Sequence, residues 1–164
     1  MASLSTIDMQ IRLDVLELLA QYCHALNRGE GERWALLFTS NGQLNCDTCC
    51  SAQGREALAA IAADISRPGH QSWRFQFSNV VLQRGDTIRE LEVEASCLIT
   101  DWAQGGKMID FWDCRINLKR GLGWQIESFH ATSAMKENEA ARASSFILHT
   151  AADADASRLV AGLH

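Results

Sequence analysis

Four side chains in this sequence combine a reactive group with a place where that group would be felt. Asp110 shares the strand parity of Met108, Trp112, Cys114, Ile116 and Leu118, so it should face an apolar interior. Taking a carboxyl out of water disfavours its charged form. Such a group either serves as an acid, base or hydrogen-bond donor, or reaches a strand end where water or an arginine satisfies it. His130 follows Trp124, Ile126 and Ser128 at a period of two and faces inward too if that strand is regular. An imidazole titrates near neutrality and can shuttle a proton; the alternative is a core histidine with a fixed hydrogen bond. Tyr22, the only tyrosine, closes an apolar helical face. Its phenol either stabilises charge developing on a substrate oxygen or finds a backbone acceptor. Asp113 has the opposite parity from Asp110 and should pair with Arg115 or another surface cation unless a bulge reverses the face.

Other residue types are less directed. Arg74, among Trp73, Phe75 and Phe77, either orients an anionic or carbonyl group of a ligand or faces solvent at a sheet rim. Tryptophans 34, 73, 102, 112 and 124 belong to a core, and any that line a cavity would favour a flat aromatic ligand. Cys46-Asp47-Thr48-Cys49-Cys50 contains a C-x-x-C spacing, but a structural zinc site wants four ligands and no second pair follows. Cys23, Cys97 and Cys114 fall on apolar faces, where a thiol behaves as a small hydrophobe.

The elements that must position these groups change period once. A first helix starts near Ser5 or Thr6, with Ser5 and Asp8 spaced as a capping box, and puts Ile11, Val15, Leu18, Leu19, Tyr22 and Leu26 on one face. Asn27-Arg28-Gly29 stops it. A short helix carrying Trp34, Leu37 and Phe38 follows, then a turn at Asn41-Gly42, a short strand from Gln43 to Cys46 and a loop from Cys49 to Gly54. A third helix runs from Arg55 to about Ile65, with Leu58, Ile61, Ala62 and Ile65 on one stripe, and Pro68-Gly69 closes that region. From Ser72 the period becomes two. Turns at residues 84–86, 104–106 and 121–123 divide the remainder into four strands, with Leu91, Val93, Ala95, Cys97 and Ile99 facing in and Glu90, Glu92 and Glu94 facing out. Helices followed by a meander define an α+β domain in which a twisted sheet wraps around the helices and leaves a cavity.

The 164 residues suit one domain, and the apolar share of 47% and charged share of 21% suit a globular one. A net charge of -5, with no basic run, argues against nucleic acid as partner. No long apolar segment or leader is evident, so a cytoplasmic location is expected.

The stretches YCHALNRGE, WALLFTSNG, SNVVLQRGD and GWQI, in that order, resemble the nuclear transport factor two-like superfamily, in its SnoaL-like branch. That branch is similar to scytalone dehydratase, ketosteroid isomerase and the β subunits of ring-hydroxylating dioxygenases. The resemblance implies three N-terminal helices packed in a strongly curved mixed, mostly antiparallel sheet enclosing a pocket over residues 1–133. It leaves residues 134–164 as a helical tail, lid or oligomer contact. It also implies cofactor-free acid–base chemistry, as an isomerase, dehydratase or other lyase, on a hydrophobic cyclic or aromatic substrate, with no metal. In the ketosteroid isomerase register Tyr22 is the oxygen donor, the base carboxylate falls on Cys46 with Asp47 beside it, and Asp110 or Asp113 completes the site. In the dehydratase register the acid after the first helix is replaced by Asn27, with Glu30 close behind, and the strand histidine by Arg74 and Phe75. Asn27, Trp34, Arg74, Phe75 and Trp112 are the pocket candidates. The resemblance equally admits a non-catalytic subunit or ligand-binding protein, and it implies a homo-oligomer, dimer or trimer.

Overall fold

The computed structural model describes residues 7–48, 50–66 and 72–135. All but Ala134 and Met135 lie in one compact unit, Met1–Ser133. The expected helical tail and the Ser5 end of the expected capping box fall outside the described residues, as do Cys49 and Pro68-Gly69.

Helix α1 spans Met9–Arg28. Asp8 caps it by accepting from the Gln10 amide at 3.3 Å, and Gly29 ends it at φ 71°, a left-handed conformation that costs glycine little. Its buried face is Val15, Leu18, Leu19, Tyr22, Ala25 and Leu26. There follow α2 (Gly31–Ala35), β1 (Phe38–Cys46), β2 (Ser51–Gln53), α3 (Arg55–Ile65), β3 (Trp73–Arg84), β4 (Glu90–Asp101), β5 (Lys107–Arg120) and β6 (Trp124–Ser133). The six strands form one sheet in the order β2-β1-β6-β5-β4-β3; β1 and β6 run parallel and every other pair is antiparallel.

The expectations for residues 36–54 need correction. Asn41-Gly42 is not a turn. Both residues lie inside β1, at a register shift between Phe38 and Gln43. A Cβ on Gly42 would lie 2.7 Å from that of Phe38, so glycine here serves close packing across a bulge. Phe38 accordingly begins the strand instead of closing the second helix, and the loop after Cys46 contains the short strand β2.

Rings fill the space between α1 and the sheet. Tyr22 stacks on Phe129 with centroids 5.2 Å apart and meets Trp34 and Phe77 edge-on at 5.3 and 5.4 Å. Trp34 in turn meets Phe38 at 5.0 Å. At its C-terminal end α1 is also stitched to the edge strand β3. The Asn27 carboxamide accepts from the Phe75 amide at 2.9 Å and donates to the Phe75 carbonyl at 3.5 Å, and one turn earlier Cys23 lines a groove together with Phe77. Four residues of helix rise about 6 Å and two of strand about 6.6 Å, so side chains one turn apart meet alternate strand residues.

Candidate functional site

Asp110 faces inward, as its parity predicts, and is half-buried. One carboxylate oxygen, Oδ1, accepts from the Ser133 hydroxyl at 2.6 Å and the Phe111 amide at 2.8 Å. The other, Oδ2, accepts from the Trp112 indole Nε1 at 2.8 Å, with the Thr48 hydroxyl at 3.5 Å. The Trp112 ring leans on Phe75 at 6.0 Å. Thr48 also lies 3.4 Å from the sulfur of buried Cys46. Three chain segments therefore converge on this carboxylate: the start of β5, the end of β6 and the turn after β1. Cys97 and Cys114, buried on the same face of the sheet, and half-buried Cys23 on α1 hold their protons. Burial pushes Cys23 up to about 11 and Cys114 to about 12, and raises Cys97 further.

His130 faces the other way. Ile126 pairs with Leu118, but Ser128 pairs with Asn117, so β6 holds an extra residue at Glu127 and its parity reverses. Phe129, Ala131 and Ser133 turn inward, while His130 is exposed, 3.8 Å from Asp47. A second shift, between Ile99 and Thr100, makes Ile109 the extra residue of β5; Met108 is therefore exposed and not part of the inward row. Asp113 faces outward as expected, and it shares with Glu94, Arg115, His130 and Thr132 a groove of about 480 Å³ on the outer face of the sheet.

The structure thus separates the candidates. Asp110 and Trp112 stand together on the inner face, and Phe75 joins them through its ring. Asp47, Asp113 and His130 lie on the outer side. Tyr22 and Trp34 lie within the ring cluster, Asn27 clips the strand edge, and Arg74 is exposed and donates to the Trp73 carbonyl at 2.8 Å. Ser133 and Thr48 went unnoticed in the sequence. Ser133 could be seen to face inward only once the bulge at Glu127 was known.

A mixed sheet of this order around three helices is that of the nuclear transport factor two-like fold. Residues 8–130 match the SnoaL-like domain family, and the chain belongs to that family. Solved structures agree in fold. Aln2 from a Streptomyces species has a TM-score of 0.70 at 16% identity, covering 85% of this chain and 99% of its own. ActVI-ORFA from Streptomyces coelicolor has 0.67 at 18%, covering 76% and 98%. An NTF2-like protein with a cystatin-like fold from Novosphingobium aromaticivorans has 0.67 at 16%, covering 77% and 83%. No curated protein matches the chain. Among the described residues no helix is long and apolar enough to cross a membrane.

Proposed function

We propose that this chain is a cofactor-free acid–base enzyme, an isomerase, dehydratase or other lyase, acting on a small hydrophobic cyclic or aromatic molecule, with Asp110 as its proton-handling group. The supporting observation is the asymmetry of the carboxylate. Oδ1 is held by two short bonds, whereas Oδ2 has one short bond and a distant contact from Thr48 on an exposed turn. The short bonds fix the group's orientation, and a substrate O–H or acidic C–H can take the place of Thr48 at Oδ2. The buried rings of Trp112 and Phe75 back the carboxylate with apolar surroundings. Tyr22 and His130 stand apart from this carboxylate, so the role proposed for them is secondary: Tyr22 shapes the interior and His130 acts on the outer face. The protein is proposed to work in the cytoplasm as a homo-oligomer.

The test is a turnover screen over cyclic ketones and hydroxylated aromatics, read by mass spectrometry for isomer formation or loss of water. Wild-type turnover that Asp110→Asn abolishes and His130→Gln retains supports the assignment; turnover retained by Asp110→Asn contradicts it.

A second reading, a non-catalytic subunit or ligand-binding module, is favoured by the tight ring stack around Tyr22. It predicts no turnover and, by native mass measurement, a stable complex only with a larger partner.

A further inference from the structure

Helix α1 carries two apolar stripes. The first packs on the sheet; the second runs through Met9, Leu13, Leu16 and Ala20 and is open to solvent, with Met9 68%, Leu13 54% and Leu16 47% exposed. Its four-three-four spacing is the one that keeps a single seam turned towards a partner helix in a coiled coil. The charges border the seam without interrupting it. Arg12 lies on one flank and Glu17 on the other, five residues on, which are the g and e positions that face each other across a parallel two-stranded coil. Both charges are available: among the described residues Arg12 enters no ion pair, and Glu17 only accepts from the Gln21 amide at 2.9 Å.

We propose that this seam docks on the same seam of a second copy, parallel about a two-fold axis. Met9, Leu13, Leu16 and Ala20 meet their counterparts, and Arg12 of each copy faces Glu17 of the other. The charge pattern decides both occupant and direction. An antiparallel pairing would set arginine beside arginine on one flank and glutamate beside glutamate on the other, whereas the parallel one forms two opposite-charge pairs. A helix from an unrelated protein could cover the apolar residues but would not by itself supply these charges. The seam is short, so the contact is small and association depends on concentration. It uses the solvent side of α1 and none of the groups that hold Asp110, and so is independent of the chemistry proposed there.

The experiment is sedimentation velocity on the full chain over a range of concentrations, at low and high salt, with Arg12→Glu, Glu17→Arg, the double reversal and Leu13→Glu. All three positions are exposed, and circular dichroism checks that each variant folds. Wild type should associate, more weakly at high salt. Each single reversal should raise the concentration needed by about tenfold, since it disrupts two symmetric pairs. The double reversal should restore association, and Leu13→Glu should abolish it. A wild type that is monomeric throughout overturns the proposal. So does a double reversal that associates no better than either single one, or an assembly that responds to Arg115→Glu on the outer strand face and not to Arg12→Glu.

Discussion

Asp110 on β5 and His130 on β6 stand on neighbouring strands of the same sheet, and both share parity with apolar neighbours in the sequence. One faces the rings and the other faces water. The difference is where the extra residue falls. In β5 the irregularity at Ile109 precedes Asp110, so Asp110 keeps its phase with Trp112, Cys114 and Ile116; in β6 the extra residue at Glu127 lies between Ile126 and His130. A period-two argument holds only along an uninterrupted run, and a bulge exchanges the faces of everything beyond it. Polar residues near strand ends are the most vulnerable to that error, and functional groups often sit there.

The sharpest way to break this comparison is to truncate neighbours on β6. Phe129→Ala should cost about 3–5 kcal/mol, because it removes a fully buried ring from the stack on Tyr22, while His130→Ala should stay within about 0.5 kcal/mol. Urea denaturation measures both, and a larger loss at His130 would mean that the faces are assigned the wrong way round. On β5 the same contrast is smaller. Asp110→Ala removes the carboxylate to which the Trp112 indole and the buried Ser133 hydroxyl donate, an expected loss of about 1–3 kcal/mol, against about 0.5 kcal/mol or less for Asp113→Ala. Smaller still, Asn27→Asp replaces a clip that both donates and accepts by one that only accepts. The donor bond to the Phe75 carbonyl is lost while the Phe75 amide keeps its acceptor, and urea denaturation should show a loss of about 0.5–1.5 kcal/mol.

Near neutrality the inner thiols should have no effect, and this too separates the two faces. Cys23 and Cys114 hold their protons to about 11 and 12 in the folded chain, against an ordinary value of 9.0. Above pH 9.0 the unfolded chain releases those protons while the folded chain keeps them. Their stabilising contribution is therefore complete below pH 9.0 and is lost as pH rises towards 11 and 12. Melting temperature against pH should be level up to about 9 and then fall, and the fall should be smaller in Cys23→Ala.

Much of this architecture was legible in the sequence. The stop at Gly29, the third helix from Arg55 to Ile65, the four long strands and their turns all follow from periodicity and turn residues, and Asp110 was found by the same route. What was not legible depended on contacts distant in sequence. Asn41-Gly42 reads as a turn until Phe38 and Ile126 are seen to press on Gly42. Asn27 reads as a departure from a catalytic acid until the Phe75 backbone is found against it. Ser133 and Thr48 carry no local pattern at all, because only the sheet register brings them to Asp110. Tyr22 was correctly placed on an inward face, but its surroundings, four aromatic rings from α2, β1, β3 and β6, come from elements that a single-segment pattern does not connect.

The central claim is that the inner-face carboxylate, and not the outer-face imidazole, belongs to the ligand site. The most direct measurement is a thermal-shift titration of wild type, Asp110→Asn and His130→Gln with hydrophobic carbonyl and phenolic compounds, since a ligand that binds the folded state raises its melting temperature by mass action. The account predicts compounds that stabilise wild type and His130→Gln alike and lose that effect in Asp110→Asn. Stabilisation that survives in Asp110→Asn and disappears in His130→Gln would contradict it and move the site to the outer face.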